Sequence, residues 1–196
     1  MIFHELAIAG AYVVEPDPHT DSRGFFARAF CAREFAARGL NTRVAQCSLS
    51  YNRGRGTVRG LHYQLPPAAE AKLVRCLRGA IFDVIVDLRP GSRTFGWNAC
   101  VLLSQEGGRA LYVPAMCAHG YQTLTGDVEL YYQMSNFYAP DLARGVRFDD
   151  PSLAVEWPLP VADISERDRA WPLIEQSRHA APRETERVAR QARVLA

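Results

Sequence analysis

The sequence predicts an all-β fold, a double-sheet jelly roll with a few short helices at its edges. Three observations lead there. Between residues 57 and 157 the chain is a series of short apolar runs broken by Gly, Pro, Asp and Asn, the punctuation of strands and tight turns. Only two segments carry a helical pattern, so no layer of helices can cover a sheet and the strands must cover one another. A chain of 196 residues with 48% hydrophobic side chains suffices for one substantial core and is short for two. One domain over residues 1–175, followed by a charged tail over 176–196, is expected.

The elements justify themselves in order. Residues 31–38 (CAREFAAR) form a short helix stopped by Gly39 at the cap position. The segment 52–57 (NRGRGT) is a basic turn without the spacing of a phosphate loop. Strands are expected at 57–63, 72–77, 81–88, 99–103, 110–113, 120–124 and 128–134, separated by turns such as Arg78-Gly79, Pro90-Gly91-Ser92 and Thr125-Gly126-Asp127. Strict alternation puts Arg59, Leu61 and Tyr63 on one face of the first, and Gly60, His62 and Gln64 on the other. In 81–88, Phe82, Val84, Val86 and Leu88 share an apolar core face, while Asp83 and Asp87 share a mixed face with Ile81 and Ile85. The tail 183–194 pairs Glu186 with Arg190 but has little apolar periodicity, and reads as a solvated helix or a partly disordered segment.

Charge and cysteines narrow the function. A net charge of +2 is too mild for a nucleic-acid binder, so the expected partner is a small molecule. Five cysteines, an odd number with no C-x-x-C pair, argue against a disulfide framework and a zinc knuckle and suit a cytoplasmic protein. The opening MIFHELAIAG is not a signal peptide, and no apolar run approaches the roughly 18 residues that span a bilayer. No membrane partner is expected.

Chemistry concentrates in four places. His62 has Gly60 and Gln64 as its same-face neighbours, which leaves room above the imidazole for a ligand; a satisfied structural histidine is the alternative. Lys72 is the single lysine among 23 basic residues. It stands at the start of an apolar strand, where it either snorkels to the surface or is retained as a compact, titratable ammonium. His119 lies in the segment 113–121 (VPAMCAHGY). Tyr131 and Tyr132 are adjacent in a strand, so one packs and one offers its phenol inward, and alternation leaves open which does so. A histidine metal centre is not expected, because the usual pair of histidines two apart on one strand fails where Gln64 follows His62. No G-x-S-x-G elbow or activated cysteine is present.

From about Ile8 to Leu173 these pieces resemble the dTDP-4-dehydrorhamnose 3,5-epimerase family. The resemblance rests on Asp21-Ser22-Arg23-Gly24-Phe25-Phe26, Arg59-Gly60-Leu61-His62-Tyr63-Gln64, Ala71-Lys72-Leu73-Val74, Phe82-Asp83-Val84, Val86-Asp87-Leu88-Arg89, Ala118-His119-Gly120, Asp149-Asp150-Pro151, Trp157-Pro158 and Ser165-Glu166-Arg167-Asp168. It implies a cupin-like jelly roll, a homodimer, a nucleotide-diphosphate-linked 4-keto sugar as substrate and no cofactor. It further implies that His62 is the base paired with Asp168, that Tyr132 is the acid on the opposite face, and that Lys72 steadies the sugar oxyanion. Arg23 and Arg59 would hold the diphosphate, Phe26 would lie near the base, and His119 would line the sugar site. Arg28, Gln46, Ser48, Tyr138 and Arg167 fall among the substrate contacts. The implied chemistry is coherent, since a ketone at C4 acidifies the hydrogens on C3 and C5, and a base near neutrality removes one if the enolate is stabilised.

The departures lie at nucleotide contacts: Arg28 where the family has Glu, Ser48 where Asn is usual, Ala143 for Glu and Arg167 for Lys. Thymine offers an N3–H donor, whereas Arg has only donors and suits the acceptor edges of cytosine or guanine. Either the nucleotide is a CDP- or GDP-sugar, or Arg28 turns outward. Relatives with the same His, Lys and Tyr act at one carbon or at two, so a single-centre epimerase stays open beside the 3,5-enzyme. The other readings are a keto-sugar isomerase, a metal-dependent dioxygenase and a non-catalytic sugar-nucleotide-binding cupin.

Overall fold

In the computed structural model, which describes residues 1–174 and the backbone of 193–194, the strand-and-turn pattern resolves into two six-stranded sheets. The elements in chain order are β1 (Ile2–Glu5), β2 (Tyr12–Glu15), β3 (His19–Asp21), β4 (Gly24–Phe26), α1 (Ala32–Ala36), β5 (Gln46–Asn52), β6 (Val58–Gln64), β7 (Lys72–Arg78), β8 (Ala80–Asp87), β9 (Asn98–Ser104), β10 (Ala110–Val113), β11 (Cys117–Thr123), β12 (Val128–Met134), β13 (Ala143–Gly145), α2 (Glu166–Arg169) and β14 (Arg193–Val194). One sheet runs β1-β2-β10-β7-β12-β5, the other β13-β6-β11-β8-β9-β14, and β3-β4 form a separate hairpin. The all-β, cupin-like jelly roll is the observed fold. The helix expected over 183–194 lies outside the described residues apart from Arg193–Val194, which pair in parallel with β9 as a short strand.

The space between the sheets is filled by Ile81 and Ile85 of β8, Val101 and Leu103 of β9, Leu111 of β10 and Leu130 of β12. The mixed face of β8 is therefore interior, and Asp83 and Asp87 are both fully buried. Its apolar face is buried too: Phe82, Val84, Val86 and Leu88 pack beneath Val146, Leu153, Val155 and Trp157. The chain after β13 thus wraps the outside of the second sheet, which the one-core, one-mixed reading did not anticipate. On the first sheet α1 performs the corresponding task, with Phe35 seated against Val14, Leu73 and Tyr112. Gly39, at φ +69°, takes the left-handed conformation just past that helix.

One irregularity positions the site. On β11 the step from His119 to Tyr121 is matched on β6 by the longer step from His62 to Arg59, so β6 carries an extra residue there. Gly60 occupies the bulge at φ +125°, and a Cβ on it would sit 2.5 Å from the Cα of Gly120 and 2.9 Å from the His119 carbonyl oxygen. Only glycine fits. The extra residue reverses the alternation expected from the sequence: Arg59 shares the cavity side with His62, while Leu61 turns into the outer cluster.

Candidate active site

A cavity of about 660 Å3 opens between the sheets, lined by Arg59 and His62 from β6, Lys72 from β7, His119 from β11 and Tyr132 from β12. Gln46 and Ser48 of β5, Tyr138 after β12, and Arg167 and Asp168 of α2 complete its wall.

Asp168 reaches His62 because α2 starts at Ser165, whose hydroxyl accepts the Asp168 N–H at 3.1 Å and caps the helix. The buried carboxylate bonds His62 Nε2 at 2.6 Å, and also receives the Gly60 N–H and Trp171 Nε1–H, each at 3.3 Å. Burial raises the pKa of Asp168, but the bond and charge of His62, with the other two donors, outweigh it and leave the carboxyl below its ordinary value. His62 Nδ1 is then the ring nitrogen left for a ligand. Trp171 stands edge-on to the imidazole at 6.3 Å.

Lys72 does not snorkel. Its side chain is 12% exposed, and Nζ donates to the His62 carbonyl at 3.0 Å and pairs with Glu70 at 3.3 Å. Burial lowers its pKa, opposed by the charges of Glu70 and Asp83. Of the two tyrosines, Tyr132 faces inward, packing against the core with its ring 6.0 Å from that of His119. Burial, with Tyr121 and Asp83 nearby, pushes its phenol well above the usual value, so it holds its proton. His119 Nε2 is bonded at 2.6 Å to Asp83 Oδ1, and both are buried. Arg59 Nε donates to Asn52 at 2.7 Å.

Three expected contacts lie elsewhere. Arg23 is paired with Asp21 at 2.5 Å on the exposed β3–β4 hairpin, Phe26 of that hairpin is 78% exposed, and Arg28 is held by Glu34 at 2.9 Å. None lines this chain's cavity, because the hairpin stands apart from both sheets. Arg28, paired with Glu34, turns away from this chain's cavity. Conversely, the sequence reading assigned no role to Glu70, Asn52 or Trp171. Trp171 falls one helical turn beyond Asp168 and Glu70 two residues before Lys72, spacings that connect them only once the partners are known. Among the described residues, no three His, Cys, Asp or Glu side chains converge as a metal-ligand set, and no helix is long and apolar enough to cross a membrane.

The family model described as dTDP-4-dehydrorhamnose 3,5-epimerase matches residues 5–176. The chain belongs to this family. The dTDP-4-dehydrorhamnose 3,5-epimerase of Sinorhizobium fredii is 41% identical over 175 residues, covering 89% of this chain and 90% of its own. A dTDP-4-dehydrorhamnose 3-epimerase of Streptomyces niveus is 38% identical over 181 residues, 92% of this chain and 87% of its own. The crystal structure of the Bacillus anthracis dTDP-4-dehydrorhamnose 3,5-epimerase with TDP and PPi bound superposes with a TM-score of 0.85 at 36% identity, covering 88% of this chain and 99% of that one. As a member of the dTDP-4-dehydrorhamnose 3,5-epimerase family, this chain is an isomerase of nucleotide-linked 4-keto-6-deoxy sugars in deoxysugar biosynthesis.

Proposed function

We propose that the cavity epimerises dTDP-4-dehydro-6-deoxy-D-glucose at C3 and C5 with His62 as base and Tyr132 as acid. The observation that carries this is that the His62–Asp168 pair and the protonated Tyr132 phenol open onto one cavity with the Lys72 ammonium. His62 removes the hydrogen beside the ketone, Asp168 balances the imidazolium, and Lys72 offsets the charge growing on O4. Tyr132 then donates its proton to the other face of the enolate, inverting the carbon. Arg59 holds the diphosphate, Gln46, Ser48, Tyr138 and Arg167 contact the nucleotide sugar, and His119, fixed by Asp83, lines the sugar site. No metal or cofactor enters these steps.

The nucleotide is dTDP in this reading, supported by the TDP in the Bacillus anthracis enzyme. The epimerase unit comprises residues 1–175 and works as a homodimer in which Arg23 and Phe26 serve the cavity of a second copy, as the exposed Phe25 and Phe26 of the projecting hairpin suggest. A cytoplasmic setting suits the five cysteines, all thiols. Proton NMR of the protein with the dTDP substrate in deuterated water tests the reading. Exchange at both carbons is expected, lost without loss of binding in His62→Ala. Exchange at one carbon would place the chain with the Streptomyces niveus type, and tighter binding of CDP or GDP than dTDP would reverse the nucleotide assignment. Light scattering at the mass of one chain would refute the dimer.

A further inference from the structure

We propose that Glu70 is a positioning residue that fixes the Lys72 ammonium with its third N–H turned into the cavity. The proposal rests on the reading of Lys72 as the group that meets the sugar oxygen. An ammonium has three N–H donors. One goes to the His62 carbonyl at 3.0 Å, the ammonium is held against Glu70 Oε1 in an ion pair at 3.3 Å, and no further protein partner stands at Nζ among the described residues. Held by these two contacts, Nζ keeps a donor for whatever occupies the cavity that Lys72 lines.

Glu70 is itself clamped. Its side chain is 7% exposed, and its other oxygen accepts from Gln64 Nε2. The two hydrogens of that Nε2 are shared with the carbonyls of Ala68 at 2.9 Å and Phe137 at 3.1 Å, and the Gln64 oxygen accepts the Ala139 N–H at 2.7 Å. A buried carboxylate costs several kcal/mol of desolvation unless it is paired, and here the pair serves the charge state of its partner. Burial alone drives a lysine toward the neutral amine, which can donate to an oxygen but cannot neutralise an oxyanion. The groups bearing on Lys72 are Glu70 ahead of β7 and Asp83 on β8, with His62, His119 and Tyr132 across the cavity. Among their side chains, Glu70 is the one in contact with Nζ. The clamp also ties the lysine to residues 137–139, the segment that carries Tyr138 at the cavity wall.

The test compares Glu70→Gln, Glu70→Asp, Lys72→Met and the double variant Glu70→Gln/Lys72→Met in turnover of the dTDP-linked keto sugar across pH 6–10. Loss of a residue that orients an active group costs about 10- to 100-fold. Glu70→Gln is expected to lower kcat by that factor with KM within about twofold, and to move the alkaline limb of the kcat profile to lower pH as the lysine loses its counter-charge. In the Lys72→Met background the same change adds less than about twofold. Glu70→Asp keeps the charge but withdraws it by a methylene, so its alkaline limb stays in place while kcat falls severalfold. It carries the test alone if Glu70→Gln does not fold. Wild-type kcat in either single Glu70 variant, or an equal loss with and without Lys72, overturns the proposal. A crippled Lys72→Met beside an unaffected Glu70→Gln refutes Glu70 only; a fully active Lys72→Met refutes the reading of Lys72 and takes Glu70 with it.

Discussion

Asp168→Asn removes the negative charge that stands behind the base. The wild-type carboxylate lies 2.6 Å from His62 Nε2 and is buried, while its other donors, Gly60 N–H and Trp171 Nε1–H, do not change charge during the reaction. The substitution preserves shape and removes the negative charge facing the imidazolium, and its NH2 takes the place of one of two accepting oxygens, so it also meets the Gly60 N–H or the His62 and Trp171 donors. Taking about 4 Å between the centres of charge and an effective dielectric of about 20, the lost attraction is about 4 kcal/mol. At 1.4 kcal/mol per factor of ten, kcat should fall roughly 10³-fold. The assay is the initial rate of deuterium incorporation beside the ketone, on protein whose thermal melt matches wild type. A rate within tenfold of wild type would show that Asp168 only orients the ring, and the charge argument would fail.

Tyr132→Phe should retain solvent exchange at the carbons that His62 reaches, yet lose inverted product by at least about 10²-fold, the usual weight of a general acid; chiral analysis of the product separates the two. Gly60→Ala should cost about 3 kcal/mol or more, combining the strain of φ +125° with the 2.5 Å approach to Gly120, and a melting curve reads it. Asp87, buried and bonded to Arg89, Ser92 and Thr94, has its pKa raised by burial but lowered further by those bonds, to about 2 from 3.8. Its folded value is depressed, so its contribution, roughly 2 kcal/mol, is present above about pH 4 and lost as pH falls toward 2. Asp87→Asn should flatten that part of an acid-unfolding curve, and an unchanged curve would contradict the assignment.

The strands from β6 to β12 are legible because Val, Ile and Leu run between glycine- and proline-marked turns, a local signal. β5 is not: at the sheet edge it leaves Leu49 and Tyr51 exposed and mixes them with Ser and Cys, so no burial pattern marks it. The face of Arg59 was misassigned because alternation presumes a regular ladder, and the bulge depends on Gly120, sixty residues from Gly60. Lys72 stood out by being the only lysine, but its partner Glu70 looks like any surface glutamate in sequence. His62, Lys72, Tyr132 and Asp168 converge as the motifs implied. Arg23, Phe26 and Arg28 lie outside this chain's cavity, because a motif records residue types and not where the fold carries them.

The wrap over the outer sheet also sets a timetable. His62 and Asp168 are 106 residues apart in sequence, and Asp168 arrives on the segment that first lays Trp157 over β8 and bonds back to β6 at Val58. Non-local closure of this kind comes late in folding. Both sheets but for the short β14 are built from residues before 146, yet the base gains its counterion only when Asp168 docks against β6.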